Sequence, residues 1–140
     1  MKILLAADGS KFTKKALAFL VTHESLCNDR DELVVLHVQS PVPPRVKTML
    51  GAAVVRDYHR DEARKVLDPI ERFLKQHDVR FTTAWVVGPP VDEILAAAQR
   101  DKAQMIVMGT HGHGLFGRVL MGSVAQRVLA GSPVPVLLVK

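Results

Sequence analysis

The 140-residue chain has one cysteine, Cys27. No intrachain disulfide can form, and no cysteine-based zinc site can be assembled. Aromatic residues make up only 5% of the sequence, which leaves few platforms for base stacking, and the basic residues are scattered. Nucleic acid is therefore not the expected partner. Apolar runs such as Met105–Met108 and Val134–Val139 fall far short of the roughly 20 residues that cross a bilayer. The apolar opening from Ile3 to Ala7 is too short for a signal-peptide core and runs into Asp8. The expectation is a cytoplasmic protein with no membrane association. Acid is also missing beyond Asp101. Up to that residue 15 Lys/Arg stand against 14 Asp/Glu, whereas Lys102, Arg118, Arg127 and Lys140 follow it with no acid among them. A basic tail free of acid suits an anion.

What is present describes a folded domain. Apolar residues are 48% and charged residues 24%, a composition that excludes disordered and collagen-like chains. The length fits a single domain over residues 1–140. Lys2 to Ala7 reads as a short apolar strand, Asp8-Gly9-Ser10 as a turn and cap, and Phe12, Ala16, Phe19 and Leu20 as one face of a helix. Leu33 to Val38 is a second strand. His37 interrupts it and reads as a hydrogen-bonded core residue. The proline-rich stretch from Ser40 to about Leu50 reads as a loop beside any site at the strand ends.

A long helix follows, with Ala63, Val66, Leu67, Ile70, Phe73 and Leu74 on its apolar stripe. Its charges are spaced to pair as Asp61–Lys65, Asp68–Arg72 and Glu71–Lys75. Pro69 should kink or split it. Arg80 to Val87 is a third strand. A helix carries Asp92 and Glu93 in its first turn, Gln104 to Met108 is a fourth strand, Ser123 to Ala130 is helical, and Val134 to Val139 is a fifth strand. Strands that are apolar throughout and alternate with helices predict an α/β protein with a covered parallel sheet. Ligands of such sheets bind beyond the carboxyl ends of the strands, where the strand order reverses. Asp8 and Gly109 follow two such ends.

The segment from Gly109 to Gly122 holds five glycines in fourteen residues. Glycines allow backbone amides to approach a phosphate closely, and the Gly122-Ser123 step opens a helix whose free amides favour an anion. Ser123 is placed to cap that helix. An ordinary surface loop with an ordinary serine cap is the plain alternative. A Walker A reading fails because Arg118-Val119 stands where Lys-Ser/Thr is required. Gly112-x-Gly114-x-x-Gly117 has the form of a dinucleotide fingerprint, but no acid follows to hold a ribose. Thr110-His111-Gly112-His113 matches a short nucleotidyltransferase signature, but it follows the fourth strand instead of the first. The histidines show no metal-ligand or nucleophile–base spacing.

The spacing Gly109-x2-Gly112-x9-Gly122-Ser123 resembles the ATP-binding signature of the universal stress protein family. Ile3 to Ser10 resembles that family's first strand and turn, Leu36-His37-Val38 the end of its second strand, and Ser132 to Val139 its last strand. The resemblance covers the whole chain. It implies a Rossmann-like fold of the adenine nucleotide alpha hydrolase type: five parallel strands in order 3-2-1-4-5 with helices on both faces. It also implies a UspA-like member of the ATP-binding subgroup, with a nucleotide-binding set of Ala7, Asp8, Val38, Met108, Gly109, Gly112, His113, Arg118, Gly122, Ser123 and Val124. Asp8 matches the acid at the nucleoside, Val38 the residue whose backbone meets adenine, and the glycines with Ser123 the ribose and phosphate cradle.

The implied ligand is ATP, or AMP or another adenine nucleotide, with Mg2+ or Mn2+ on the phosphates. No residue is assigned as catalytic or as a metal ligand. His111 and His113 fall on variable positions of the signature, where facing solvent is the expectation. Arg118 is a candidate for neutralising phosphate charge. Family members commonly dimerise through the last strand, here Val134 to Val139, an apolar edge open to pairing. The implied function is a regulatory, stress-response nucleotide-binding protein with little or slow hydrolysis and a protein partner of unknown identity. The alternatives are a true ATPase or phosphotransferase, and an interaction module whose nucleotide site is vestigial.

Overall fold

The structure, a computed structural model, describes residues 1–111 and 121–140. The elements run β1 (Lys2–Ala6), α1 (Lys11–Thr22), β2 (Glu32–Gln39), α2 (Pro44–Leu50), α3 (Ala52–Lys75), β3 (Arg80–Val87), α4 (Pro90–Arg100), β4 (Met105–Gly109), α5 (Ser123–Gly131) and β5 (Val136–Val139). The five strands form one sheet in the order β3-β2-β1-β4-β5, and every neighbouring pair is parallel.

Alternation along the central strands divides the core in two. Ile3, Leu5, Leu33, Val35 and Val107 face α1 and α3, where they meet Ala16, Leu17, Leu20, Leu67, Ile70 and Leu74. Leu4, Val34, Leu36, Ile106 and Met108 face the opposite layer, against Val91, Ile94, Ala97, Ala98, Ala125 and Val128 of α4 and α5. Residues on both faces are buried, which is why these strands read as continuous apolar runs. Each such Leu or Ile contributes about 1.5–3 kcal/mol. The edge strands β3 and β5 are largely half-exposed. β5 begins at Val136, two residues later than the sequence suggests. Before it, the Ser132 hydroxyl donates to the Val134 carbonyl and accepts from its amide in a tight turn.

α1 and α3 end alike. His23 Nδ1 donates to the Phe19 carbonyl at 2.7 Å, and His77 Nδ1 donates to the Phe73 carbonyl at 2.9 Å. Each imidazole also packs on the ring of the same phenylalanine. Each imidazole thus adds a donor to a carbonyl of the last turn, where backbone donors run short.

Two sequence expectations are corrected. The stretch after Pro43 is not a loop. Pro44 fixes φ at the first helical position of α2, and Gly51, with φ of 85°, joins α2 to α3. No residue of α2 is buried. Pro69 does not split α3, which runs unbroken for 24 residues. Pro69 and Lys65, whose carbonyl loses its donor, both lie on the exposed face, where water replaces the missing bond. The ion pairs of α3 also differ from the expected set. Lys65 pairs with Glu62, and Arg64 lies between Asp68 and Glu71.

Candidate functional site

Because α1 and α3 lie on one face and α4 and α5 on the other, the chain reverses direction across the sheet between β1 and β4. A cavity of 460 Å³ opens at the carboxyl ends of these strands and of β2. β1 and its turn contribute Ala6, Ala7 and Asp8, and β2 contributes Leu36, His37, Val38 and, just beyond it, Ser40. β4 and the residues after it contribute Met108, Gly109, Thr110 and His111, the start of α5 contributes Gly122 to Ala125, and Thr13, Pro90 and Ile94 complete the wall. Eight of the sequence-selected residues therefore border one space: Ala7, Asp8, Val38, Met108, Gly109, Gly122, Ser123 and Val124. Gly112, His113 and Arg118 lie outside the described residues.

The wall has two characters. Leu36, Val38, Ile94, Met108 and Val124 belong to the α4–α5 core layer and give an apolar side. Asp8, Thr13, His37, Thr110 and His111 give a polar one. Asp8 is rigidly placed. Its Oδ1 accepts from the Ser10 amide and from the Thr13 hydroxyl, both at 2.9 Å, and its own amide donates to Thr13 Oγ1 at 3.1 Å. Gly9, at φ 78°, makes the turn between strand and helix. The side chain of Ser10 then caps α1 by accepting from the Thr13 amide.

At the other end of the cavity Ser123 is not a cap. The N-cap is Gly122, in extended conformation, and Ser123 is the first helical residue with an exposed side chain. Gly122 is held by its amide, which donates to the Thr110 carbonyl at 2.6 Å. Glycine at the cap brings no side chain of its own to the first amides of α5, and such a helix end suits an anion.

Gly109 has a packing reason that its place in the signature does not reveal. A Cβ there would collide with Cβ of Phe12 and sit 3.2 Å from the His111 carbonyl oxygen, so glycine lets α1 seat against β4. His111 does not simply face solvent. It borders the cavity, its ring centroid lies 5.1 Å from that of Phe12, and its Nδ1 is 3.0 Å from Thr110 Oγ1. Sequence reasoning also missed Thr13 and Thr110, which carry no signal apart from their positions beside Asp8 and Gly109. His37 is hydrogen-bonded as expected, with Nδ1 2.7 Å from the Ala7 carbonyl oxygen. It is also part of the wall, which the reading of it as a core residue did not include.

Among the described residues, no group of three or more His, Cys, Asp or Glu could hold a metal ion, and no helix is long and apolar enough to cross a membrane. A larger groove of 1010 Å³ lies at the opposite, amino-terminal side of the sheet and includes Cys27. Burial, and then the charge of Asp31, push that thiol up. It is a neutral core group, far from a nucleophilic thiolate.

The family model of the universal stress protein family matches residues 1–140. A universal stress protein of Thermus aquaticus is 36% identical over 139 residues, which cover 99% of this chain and 97% of that protein. The solved structure of a Methanocaldococcus jannaschii universal stress protein superposes with a TM-score of 0.84 at 28% identity, covering 99% of this chain and 94% of the other. A universal stress protein of Archaeoglobus fulgidus, solved in complex with dAMP, has a TM-score of 0.73 at 24% identity, covering 100% and 98%. The sheet order, the glycine-capped helix beyond β4 and these matches lead to one conclusion: the chain belongs to the universal stress protein family.

Proposed function

We propose that the chain binds an adenine nucleotide, ATP in the first instance, and acts as a regulatory stress-response protein with little or slow hydrolysis. The observation that carries this reading is the two-sided cavity. An apolar wall from the α4–α5 layer faces the space at one side, and a helix terminus with glycine at its cap opens at the other. A nucleotide has the same two ends, a flat apolar base and an anionic phosphate chain. The dAMP complex of the Archaeoglobus protein, on the same fold, supports the choice of ligand.

In this reading the base lies against Val38 and Met108, the nucleoside meets Asp8, and the phosphates sit on the amides that follow Gly122. Gly112, His113 and Arg118 remain candidates for the phosphate end. The described residues fit a divalent ion only as a passenger. With no three-ligand cluster among them, Mg2+ or Mn2+ would be held chiefly by phosphate oxygens and water. Asp8 Oδ1 is occupied in holding the turn, which supports a binding role for this residue over that of a general base. We further propose a cytoplasmic location, a partner protein that reads the nucleotide state, and a homodimer through β5.

The test is mass spectrometry of small molecules released by denaturing the purified protein, followed by ATP titration with and without Mg2+. About one adenine nucleotide per chain, or saturable ATP binding, is the expected result. Gly122→Val places a branched side chain at the cap and should weaken ATP binding about tenfold or more, with a thermal melt to confirm folding. An empty protein that ignores added ATP would discard the site and leave an interaction module.

A further inference from the structure

α2 buries no residue, so the core does not account for it, and a helix of seven residues is marginal by itself. With the start of α3, which it packs beside, it collects exposed apolar groups. Met49 is 78% exposed, Leu50 and Val54 are each 52% exposed, and Tyr58 is 51% exposed. Among the described residues the other exposed large apolar side chains, Met1, Val87 and Leu129, lie far apart in the sequence. Apolar residues scattered over a surface are ordinary, whereas a cluster marks an interaction site. The cluster stands on a fixed backbone. Gly51 turns α2 into α3 at φ 85°. Gln39, the last residue of β2, then clasps α3: its Nε2 donates to the His59 carbonyl at 2.7 Å, and its Oε1 lies 2.8 Å from His59 Nδ1.

Charge on the same segment points to the occupant. Residues 40–56 include Arg45, Lys47 and Arg56 and no acid. All three are exposed, and none has an ion pair or a side-chain hydrogen bond among the described residues. Further along α3, by contrast, Arg60, Arg64 and Lys65 each pair with a carboxylate of their own helix. Unpaired cations beside apolar groups suit an acidic ligand. A twofold contact with a second copy would bring the same cations together. Three cations also fall short of the roughly four to eight that mark a lipid-binding segment, whereas Met, Tyr and Arg are the residues enriched where proteins meet. We propose that the apolar cluster of α2 and α3, with Arg45, Lys47 and Arg56, docks an acidic segment of a partner protein that carries apolar residues among its acids. The inference stands apart from the nucleotide reading of the cavity and gives the partner protein a place to bind.

The test uses the whole chain and two variants altered only at exposed side chains. One combines Met49→Ser with Leu50→Ser, and the other combines Arg45→Gln, Lys47→Gln and Arg56→Gln. Their thermal melts should match the wild type. A phage library of random peptides is panned on the wild type, and the dissociation constants of enriched peptides are measured by fluorescence anisotropy at low and high salt. Peptides rich in Asp and Glu with apolar residues among them should be enriched. The serine variant should bind them about tenfold or more weakly, and the glutamine variant should bind them more weakly and lose most of the salt dependence. Enriched peptides without an excess of acid, or peptides that both variants bind as well as the wild type, would overturn the proposal. So would a library that enriches nothing. Flotation with vesicles of phosphatidylcholine and phosphatidylglycerol that the serine variant loses would assign the surface to a membrane instead. A fall in the mass of that variant in light scattering would assign it to a second copy.

Discussion

Asp31 ties the start of β1 to the turn before β2. Its carboxylate accepts from the Met1 amino group at 2.7 Å and from the Asn28 amide at 2.9 Å, and the residue is 7% exposed. The Met1 amine, and then the Asn28 amide, hold the carboxyl below the usual carboxylate range, against the opposing effect of burial. A carboxyl whose folded value lies below its unfolded one contributes stability that is complete above the unfolded value and is lost as pH falls through the folded one. Asp31→Asn should therefore cost about 1–2 kcal/mol at pH 7, and the gap to wild type should close towards pH 3. Urea midpoints of both proteins across that range check it, and a gap that stays constant with pH would contradict it. Nothing in the sequence around Asp31 announced this pair, because it joins residues 30 apart that only the β1–β2 register brings together. Asp8 was legible for the opposite reason. Its partners, Ser10 and Thr13, are local, and an acid followed by Gly-Ser at a strand end already describes a turn and cap.

Among the elements, the clearest deviation from local preference is Pro69 within α3. The helix survives because its apolar stripe buries Val55, Ala63, Leu67, Ile70 and Leu74, while the lost bond lies on the water side. Pro69→Ala should restore a donor to the Lys65 carbonyl and raise stability by about 1–2 kcal/mol. This is less than the roughly 3 kcal/mol helix penalty of proline, because the unfolded chain regains freedom. A guanidinium titration checks this, and an unchanged or lower midpoint would show that Pro69 is matched to a bend in the helix. The strands and long helices were readable from periodicity, and the sequence placed β3 at the observed residues. α2 was not, since its seven residues, none of them buried, form no apolar stripe that a pattern could reveal. The cap of α5 was misread because Ser123 has the usual capping chemistry, whereas the extended backbone of Gly122 takes the position.

At the scale of the whole molecule, the sheet order sets both the cavity and the open edges. The glycine spacing pointed to the part of the cavity wall formed by Gly109 and Gly122. The polar wall of Thr13, His37 and Thr110 was not, because residues from three separate segments meet there only after folding. At the far edge, β5 pairs with β4 alone among the described residues. The Pro135 and Val139 carbonyls accept from the Ile106 and Thr110 amides, so the odd-numbered residues of this segment point their backbone groups at β4. The N–H groups of Val136 and Leu138 point outward, ready to pair with another strand. If two copies join through this edge, Leu138→Pro removes a central outward donor while leaving the β4 ladder intact, and proline is tolerated at sheet edges. In size-exclusion chromatography with light scattering, the wild type should run near twice the 15.4 kDa chain mass and the variant near that mass, with similar far-UV circular dichroism. A variant that stays dimeric would place the interface elsewhere, and a monomeric wild type would show that the edge is left unpaired in solution.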